Sequence, residues 1–137
     1  MLLLVQNSSY VDALEQGKAA AETTPEVLDA VIAIVRPIVE CNRINVENGR
    51  TYLRELVFGD PNEPHHRDAL TLTIKTEAMV AAVLCRDKRI KPDAAATLAQ
   101  IVSAITFISM AATINATRSV DDIIAEIAGR VRAMLPH

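Results

Sequence analysis

Apolar side chains recur along most of this chain every three or four residues, the spacing that gathers them on one face of a helix. The clearest run is the last. Val120, Ile123, Ile124, Ile127, Ala128, Val131 and Leu135 follow the i, i+3, i+4, i+7 template nearly without a miss. Ser119 stands before it as an N-cap, and Asp121 and Asp122 fill the first turn, where the helix dipole favours carboxylates. Arg130 and Arg132 near its end carry the complementary sign.

Five more helices are predicted upstream. The first runs from about Leu2 to about Glu22, with Tyr10, Val11 and Leu14 on a broken stripe and Gly17 as a soft point. Thr24 and Pro25 mark the next start, as cap and first helical residue. That second helix carries Val27, Leu28, Val31, Ile34, Val35 and Ile38, and Pro37 is expected to kink it. Asn45 is placed to cap a third helix from Val46 to about Phe58. The turn-rich run Gly59-Asp60-Pro61-Asn62-Glu63-Pro64 stops it. The fourth helix is predicted from about His65 to Arg86. Within it, Leu70-Thr71-Leu72-Thr73-Ile74 alternates like a strand, but no second strand exists to pair with it. Pro92 opens the fifth helix, through Leu98, Ile101, Val102, Ile105, Ile108 and Ala112. The fold class is therefore all-α, a six-helix orthogonal or antiparallel bundle. No linker or repeat divides the 137 residues, so they read as a single domain.

Composition narrows the function. Half the residues are hydrophobic, enough for a real core, and that core is aliphatic: two Tyr, two Phe and no Trp. The net charge is −3, and the longest basic stretch is Arg86–Lys91. A phosphate-gripping surface needs a basic stripe, so these residues are not expected to contact DNA or RNA. Cys41 and Cys85 stand alone, with no ligand pattern around them, and read as reduced core or near-core thiols of a cytoplasmic protein, ahead of a disulfide.

The segment from Ala94 to Thr117 holds no charge and is long enough to span a bilayer. Its Thr97, Gln100, Ser103, Thr106, Ser109, Thr113 and Asn115 are spread around the helix, however. It reads as a helix buried on more than one side, and no membrane is expected. No catalytic or metal-binding group is found. His65 and His66 point about 100° apart on a helix and do not converge on one ion. No Ser or Cys has a local His base, no glycine-rich phosphate loop exists, and no cofactor is expected.

The last two helices suggest association. The fifth is apolar nearly all round, which leaves one side in need of a partner. The sixth has Ala125, Gly129 and Ala133 at i+4 spacing beside its main stripe, so another helix can approach closely. Together they fit a four-helix bundle completed by a second copy across a two-fold axis. Tyr10, Tyr52, Phe58, Met79, Phe107 and Met110 are core fillers individually. As a set they would also suit an adaptable apolar cavity, with Ser103, Thr106 and Thr113 as polar handles.

The chain resembles the C-terminal domain of tetracycline-repressor (TetR) family regulators. Asp87-Lys88-Arg89-Ile90-Lys91-Pro92-Asp93, followed by Ala94-Ala95-Ala96-Thr97-Leu98, is similar to the family's charged turn before an Ala-rich helix. Ser119-Val120-Asp121-Asp122-Ile123-Ile124 through Met134-Leu135 resembles its capped terminal helix, and the stretch Arg50 to Pro61 its mid-domain helix and turn. Met1-Leu2-Leu3-Leu4-Val5 looks like the start of the long helix that follows the DNA-reading head. The helix-turn-helix head itself is missing, which implies a fragment, and the turn near Asp87-Lys88 lacks the family's frequent Gly.

The resemblance implies the ligand-sensing and dimerisation domain of a bacterial transcriptional regulator, commonly a repressor, released by a small, mostly apolar effector. Operator DNA would be contacted only through the absent head, with no DNA-binding residue in this chain. The implied dimer surface lies on the helices holding Ile101, Ile105, Ile108, Ile124, Ile127 and Val131. The implied effector cavity is lined by members of the Tyr10, Tyr52, Phe58, Met79, Phe107 and Met110 set. The alternative is a stand-alone helical adaptor without a small-molecule site.

Overall fold

Six α-helices and one short 3-10 turn make up the computed structural model, which describes residues 2–136. Met1, the first residue of the Met1–Val5 stretch compared above, lies outside the described residues. The helices are α1 (Leu2–Glu22), α2 (Val27–Arg43), α3 (Val46–Phe58), α4 (Pro64–Leu84), α5 (Pro92–Ala111) and α6 (Val120–Met134), with the 3-10 turn at Thr113–Asn115. Among the described residues there is no strand, so the chain is an all-α bundle.

α2 is the hub. It packs against every other α-helix, and its sequence explains how. Ala30, Val31, Ile34, Val35, Ile38, Val39 and Asn42 are all buried, an arc wide enough to meet neighbours on several sides. The helix runs on through Pro37 to Arg43. α6 supplies Ile123, Ile124, Ile127 and Val131, all buried, against α2 and α5.

Local chemistry sets most boundaries. The Asn45 side chain accepts from the backbone N–H of Asn48 at 3.0 Å, and Ser119 accepts from that of Asp122 at 3.1 Å, as capping residues do. Pro92 opens α5. α4 begins one residue earlier than the spacing predicts, because Pro64 takes the first helical position and the Glu63 carboxylate caps it through His66 N–H. It also ends earlier, at Leu84. The strand-like stretch inside it is helical throughout. Thr71, Thr73 and Thr76 donate to the carbonyls of Arg67, Ala69 and Leu72, one turn back, which occupies their hydroxyls within the helix.

Two expectations fail. Pro25 lies outside α2, which starts at Val27. Thr24 does not cap that helix; its hydroxyl donates to Ala20 O at the end of α1, 2.7 Å away. Gly17 is not a soft point either. It is buried where α1 crosses α2, and a Cβ there would stand 2.9 Å from Ile34 Cα.

Helix C-termini usually end on a left-handed glycine that closes the last carbonyls. Among the described residues none has positive φ, so that solution is not used. Arginines supply the donors instead. Arg86 reaches Ala21 O and Thr24 O at the end of α1. Arg50 reaches Ala111 O and the Thr113 hydroxyl at the end of α5. Arg43 Nη2 gathers Asn115 O, Ala116 O and Arg118 O at 2.6, 2.9 and 3.2 Å. A guanidinium, with five fixed donors and a charge that suits the negative end of a helix, meets that need well.

Candidate ligand cavity

The inner faces of α1 to α5 leave a cavity of about 90 Å³. Its base is an aromatic pair: Tyr10 from α1 stacks on Tyr52 from α3, ring centres 4.9 Å apart and planes 21° from parallel. Three further contacts fix the pair. Tyr52 donates to Asn7 Oδ1 at 2.7 Å, and Asn7 Nδ2 donates to His65 O at 2.9 Å. Asn42 Nδ2 donates to the Tyr10 oxygen at 3.0 Å. Burial raises the pKa of both phenols above the ordinary tyrosine range, so they serve as neutral hydrogen-bonding groups.

Val35 and Ile38 of α2 and Leu53 of α3 add aliphatic wall. The remaining side is made by α4 and α5. Along α4 the lining residues are Ala69, Leu72, Thr73, Thr76, Glu77 and Val80, a single helical face at i, i+3, i+4, i+7, i+8 and i+11. Along α5 they are Ala99, Val102, Ser103, Thr106, Phe107 and Met110. Leu72, Thr73, Thr76, Glu77, Ser103 and Phe107 are only half-buried, so the cavity reaches solvent between these two helices.

Of the aromatic and methionine set, Tyr10, Tyr52, Phe107 and Met110 line the cavity. Phe58 does not. It is the last residue of α3, turned away from the face of Tyr52 and Leu53, and is 82 % exposed. Met79 sits at the edge of the inward face of α4 and packs, half-buried, against the core. Of the polar handles, Ser103 and Thr106 line the wall, whereas Thr113 lies in the 3-10 turn and accepts from Arg50. Sequence reasoning missed Thr73, Thr76 and Glu77. Their signal was their register, polar residues at inward positions of a helix, hidden by the strand-like alternation beside them.

The expected interface residues separate into two groups. Ile101, Ile105 and Ile108 fall within about 60° of one another on α5. Ile101 is 40 % and Ile108 62 % exposed, with Ile105 half-buried between them. Ile124, Ile127 and Val131 of α6 are at most 5 % exposed and belong to the chain's own core. α6 turns outward its small residues instead, Ala125, Gly129 and Ala133, and nothing stands within 4 Å of where a Gly129 Cβ would be. By length and composition α5 could cross a membrane, yet Ala95, Ala99, Val102, Thr106, Ser109 and Met110 are buried against its neighbours.

Among the described residues no group of three or more His, Cys, Asp or Glu is placed to hold a metal ion. His66 is buried, with its Nε2 2.9 Å from Leu56 O, while the His65 ring is near Asp68. The two imidazoles serve different partners. A second, larger cleft of about 480 Å³ lies between the start of α2, the turn after α4 and the end of α6 and is walled by charged residues such as Glu26, Arg86, Lys88 and Arg132.

Comparison with protein-family models, with curated proteins and with solved structures found no match to this chain.

Proposed function

We propose that this chain is the ligand-sensing and dimerisation domain of a TetR-type transcriptional regulator, a cytoplasmic repressor that a small apolar molecule releases. The observation that carries the proposal is the double use of α5. One edge of this helix brings Ser103, Thr106, Phe107 and Met110 to the cavity, and another exposes Ile101 and Ile108 with no charged residue between Ala94 and Thr117. A sensing domain needs a ligand site coupled to a partner surface, and one helix that serves both is a direct way to couple them. In this proposal the second copy packs on the isoleucine stripe of α5 and the small-residue face of α6, and Ile124, Ile127 and Val131 support that face from behind. DNA contact is made by a head outside these residues.

The test is solution mass by light scattering at micromolar concentration. The expected result is a stable particle of twice the 14.9 kDa chain mass. Ile108→Asp should return it to a monomer with unchanged helicity, because that side chain lies outside the core. A wild-type monomer would remove the dimer surface from the proposal.

The small volume of the cavity favours a second reading. Drug-sized ligands occupy roughly 300–1,000 Å³, and about 90 Å³ is far less. A helical adaptor with a nearly filled core fits that figure. Small apolar probes separate the two: a sensing domain is stabilised by one that enters the cavity, and an adaptor by none.

A further inference from the structure

Glu77 lines the cavity between α4 and α5, half-buried, and no salt bridge engages it among the described residues. No Lys, Arg or His shares that lining. The neighbouring hydroxyls strengthen the asymmetry. Thr73, Thr76 and Thr106 have each donated their hydrogen to a carbonyl of their own helix, at 3.2, 2.8 and 2.8 Å. What they retain toward the cavity is oxygen lone pairs. Tyr52 has likewise spent its hydrogen on Asn7. The wall therefore offers a negative charge and several acceptors inside an otherwise aliphatic and aromatic space, with the Ser103 and Tyr10 hydroxyls keeping their hydrogens.

A ligand for such a wall brings donors and a positive charge on a small apolar body. We infer that the cavity selects protonated amines, a short branched alkyl or single-ring ammonium whose head meets Glu77, Thr73 and Thr76 and whose body lies against Phe107, Met110 and the tyrosine pair. A carboxylate of the same shape would face Glu77 with like charge, and no cation in the lining would offset it. A neutral alcohol would keep the apolar contact and forgo the charge-assisted hydrogen bond, which is among the stronger ones available. The volume sets the size: an apolar cavity of roughly 150 Å³ accepts benzene, so about 90 Å³ suits a body of four or five carbons.

This inference rests on the cavity being a ligand site, and one matched series tests the two ideas apart. The probes are 3-methylbutylammonium, 3-methylbutan-1-ol and 3-methylbutanoate, titrated at neutral pH into the wild-type chain and into Glu77→Gln. Binding is followed by NMR shifts of the methyl groups of Leu53, Val102 and Met110. We expect the ammonium to bind roughly fivefold to tenfold more tightly than the alcohol, the gain of one charged hydrogen bond over its neutral counterpart. The carboxylate should bind least. Glu77→Gln should erase the difference between ammonium and alcohol and leave the alcohol unchanged. If the alcohol binds as tightly as the ammonium, or the substitution leaves their ratio intact, the cavity is a ligand site and the amine selectivity is wrong. If no probe shifts those methyls, the cavity is not a ligand site and both ideas fall.

Discussion

Replacing Gly17 with alanine sets two familiar effects against each other, and the structure decides between them. Inside a helix, Gly→Ala alone stabilises by about 0.8–1 kcal/mol, because alanine loses less backbone freedom on folding. At Gly17 the new methyl would meet Ile34 Cα at 2.9 Å, Ile34 O at 3.1 Å and Ala33 O at 3.3 Å. All three are backbone atoms of α2, so no side chain can swing aside. α1 must move off α2, loosening Ala13, Leu14 and Ala21, which are buried along the same helix. Overpacking of this kind costs about 1–3 kcal/mol. With the propensity gain subtracted, Gly17→Ala should destabilise by up to about 2 kcal/mol, with about 1 kcal/mol as the middle of the range, or a few degrees in melting temperature for a chain of this size. Gly129→Ala is the control. It is also a helix interior, but nothing of its own chain surrounds it, so at concentrations where the chain is monomeric propensity acts alone and the variant should gain about 0.8–1 kcal/mol. Urea denaturation followed by far-UV circular dichroism measures both. Several protein concentrations are needed, since self-association would add a mass-action term. If Gly17→Ala is as stable as the parent or more so, the close crossing of α1 and α2 is wrong.

Three further outcomes are expected. Arg43→Met should lower stability by about 1.5–3 kcal/mol, since three carbonyls around the 3-10 turn lose their charged donor, and hydrogen exchange at Ala116 and Arg118 should rise with it. The hydrogen bond from Arg118 holds the Glu126 carboxyl below the usual carboxylate range, aided by the charge of Arg130. Its contribution is thus complete above the unfolded value near 4.3 and is lost as pH falls through the lower folded value; melting temperature against pH should therefore fall less steeply on the acid side for Glu126→Gln. Of the two thiols, Cys85 is exposed just past the end of α4 rather than in or near the core as expected, and it should react first with an aromatic disulfide reagent. Cys41 should lag well behind, because it is half-buried and its pKa is raised by burial and then by the charge of Asp12.

The helices were legible because their signals are local. Periodicity placed α6 along its length, and Asn45, Pro92 and Ser119 marked starts that the structure keeps. Where Thr24 and Pro25 failed, the competitor was also local: the Thr24 hydroxyl found a carbonyl at the end of α1 before it could serve α2. What the sequence could not show was direction. Phe58 and Tyr52 are both aromatic residues of one short helix, yet one is 82 % and the other 4 % exposed. That contrast depends on which way α3 faces, which its partners decide. The same holds for α6, whose strongest apolar stripe is consumed by α2 and α5. Arginine capping was invisible for a related reason, since Arg43 and the 3-10 turn it holds are more than seventy residues apart.

The size of the cavity bears on how a sensor of this kind would work. A body of four or five carbons fits as the helices stand; anything larger must part α4 from α5, because the other walls, from α1, α2 and α3, are mostly buried core residues. Phe107 and Met110 would lead that movement, and they are one residue from Ile108 on the same helix or two. Displacing them rotates or shifts the isoleucine stripe, and with it the surface offered to a second copy. On the proposed function, ligand binding and the geometry of the pair are then two readouts of the position of α5. Such coupling is real only if the ligand prefers one position over the other. Moving the population from 1:99 to 99:1 takes a preference of about 5.5 kcal/mol. A molecule that fits the cavity without moving α5 would bind and change nothing. Small probes should therefore occupy the site silently, and larger amines should alter the mass or shape of the pair in solution.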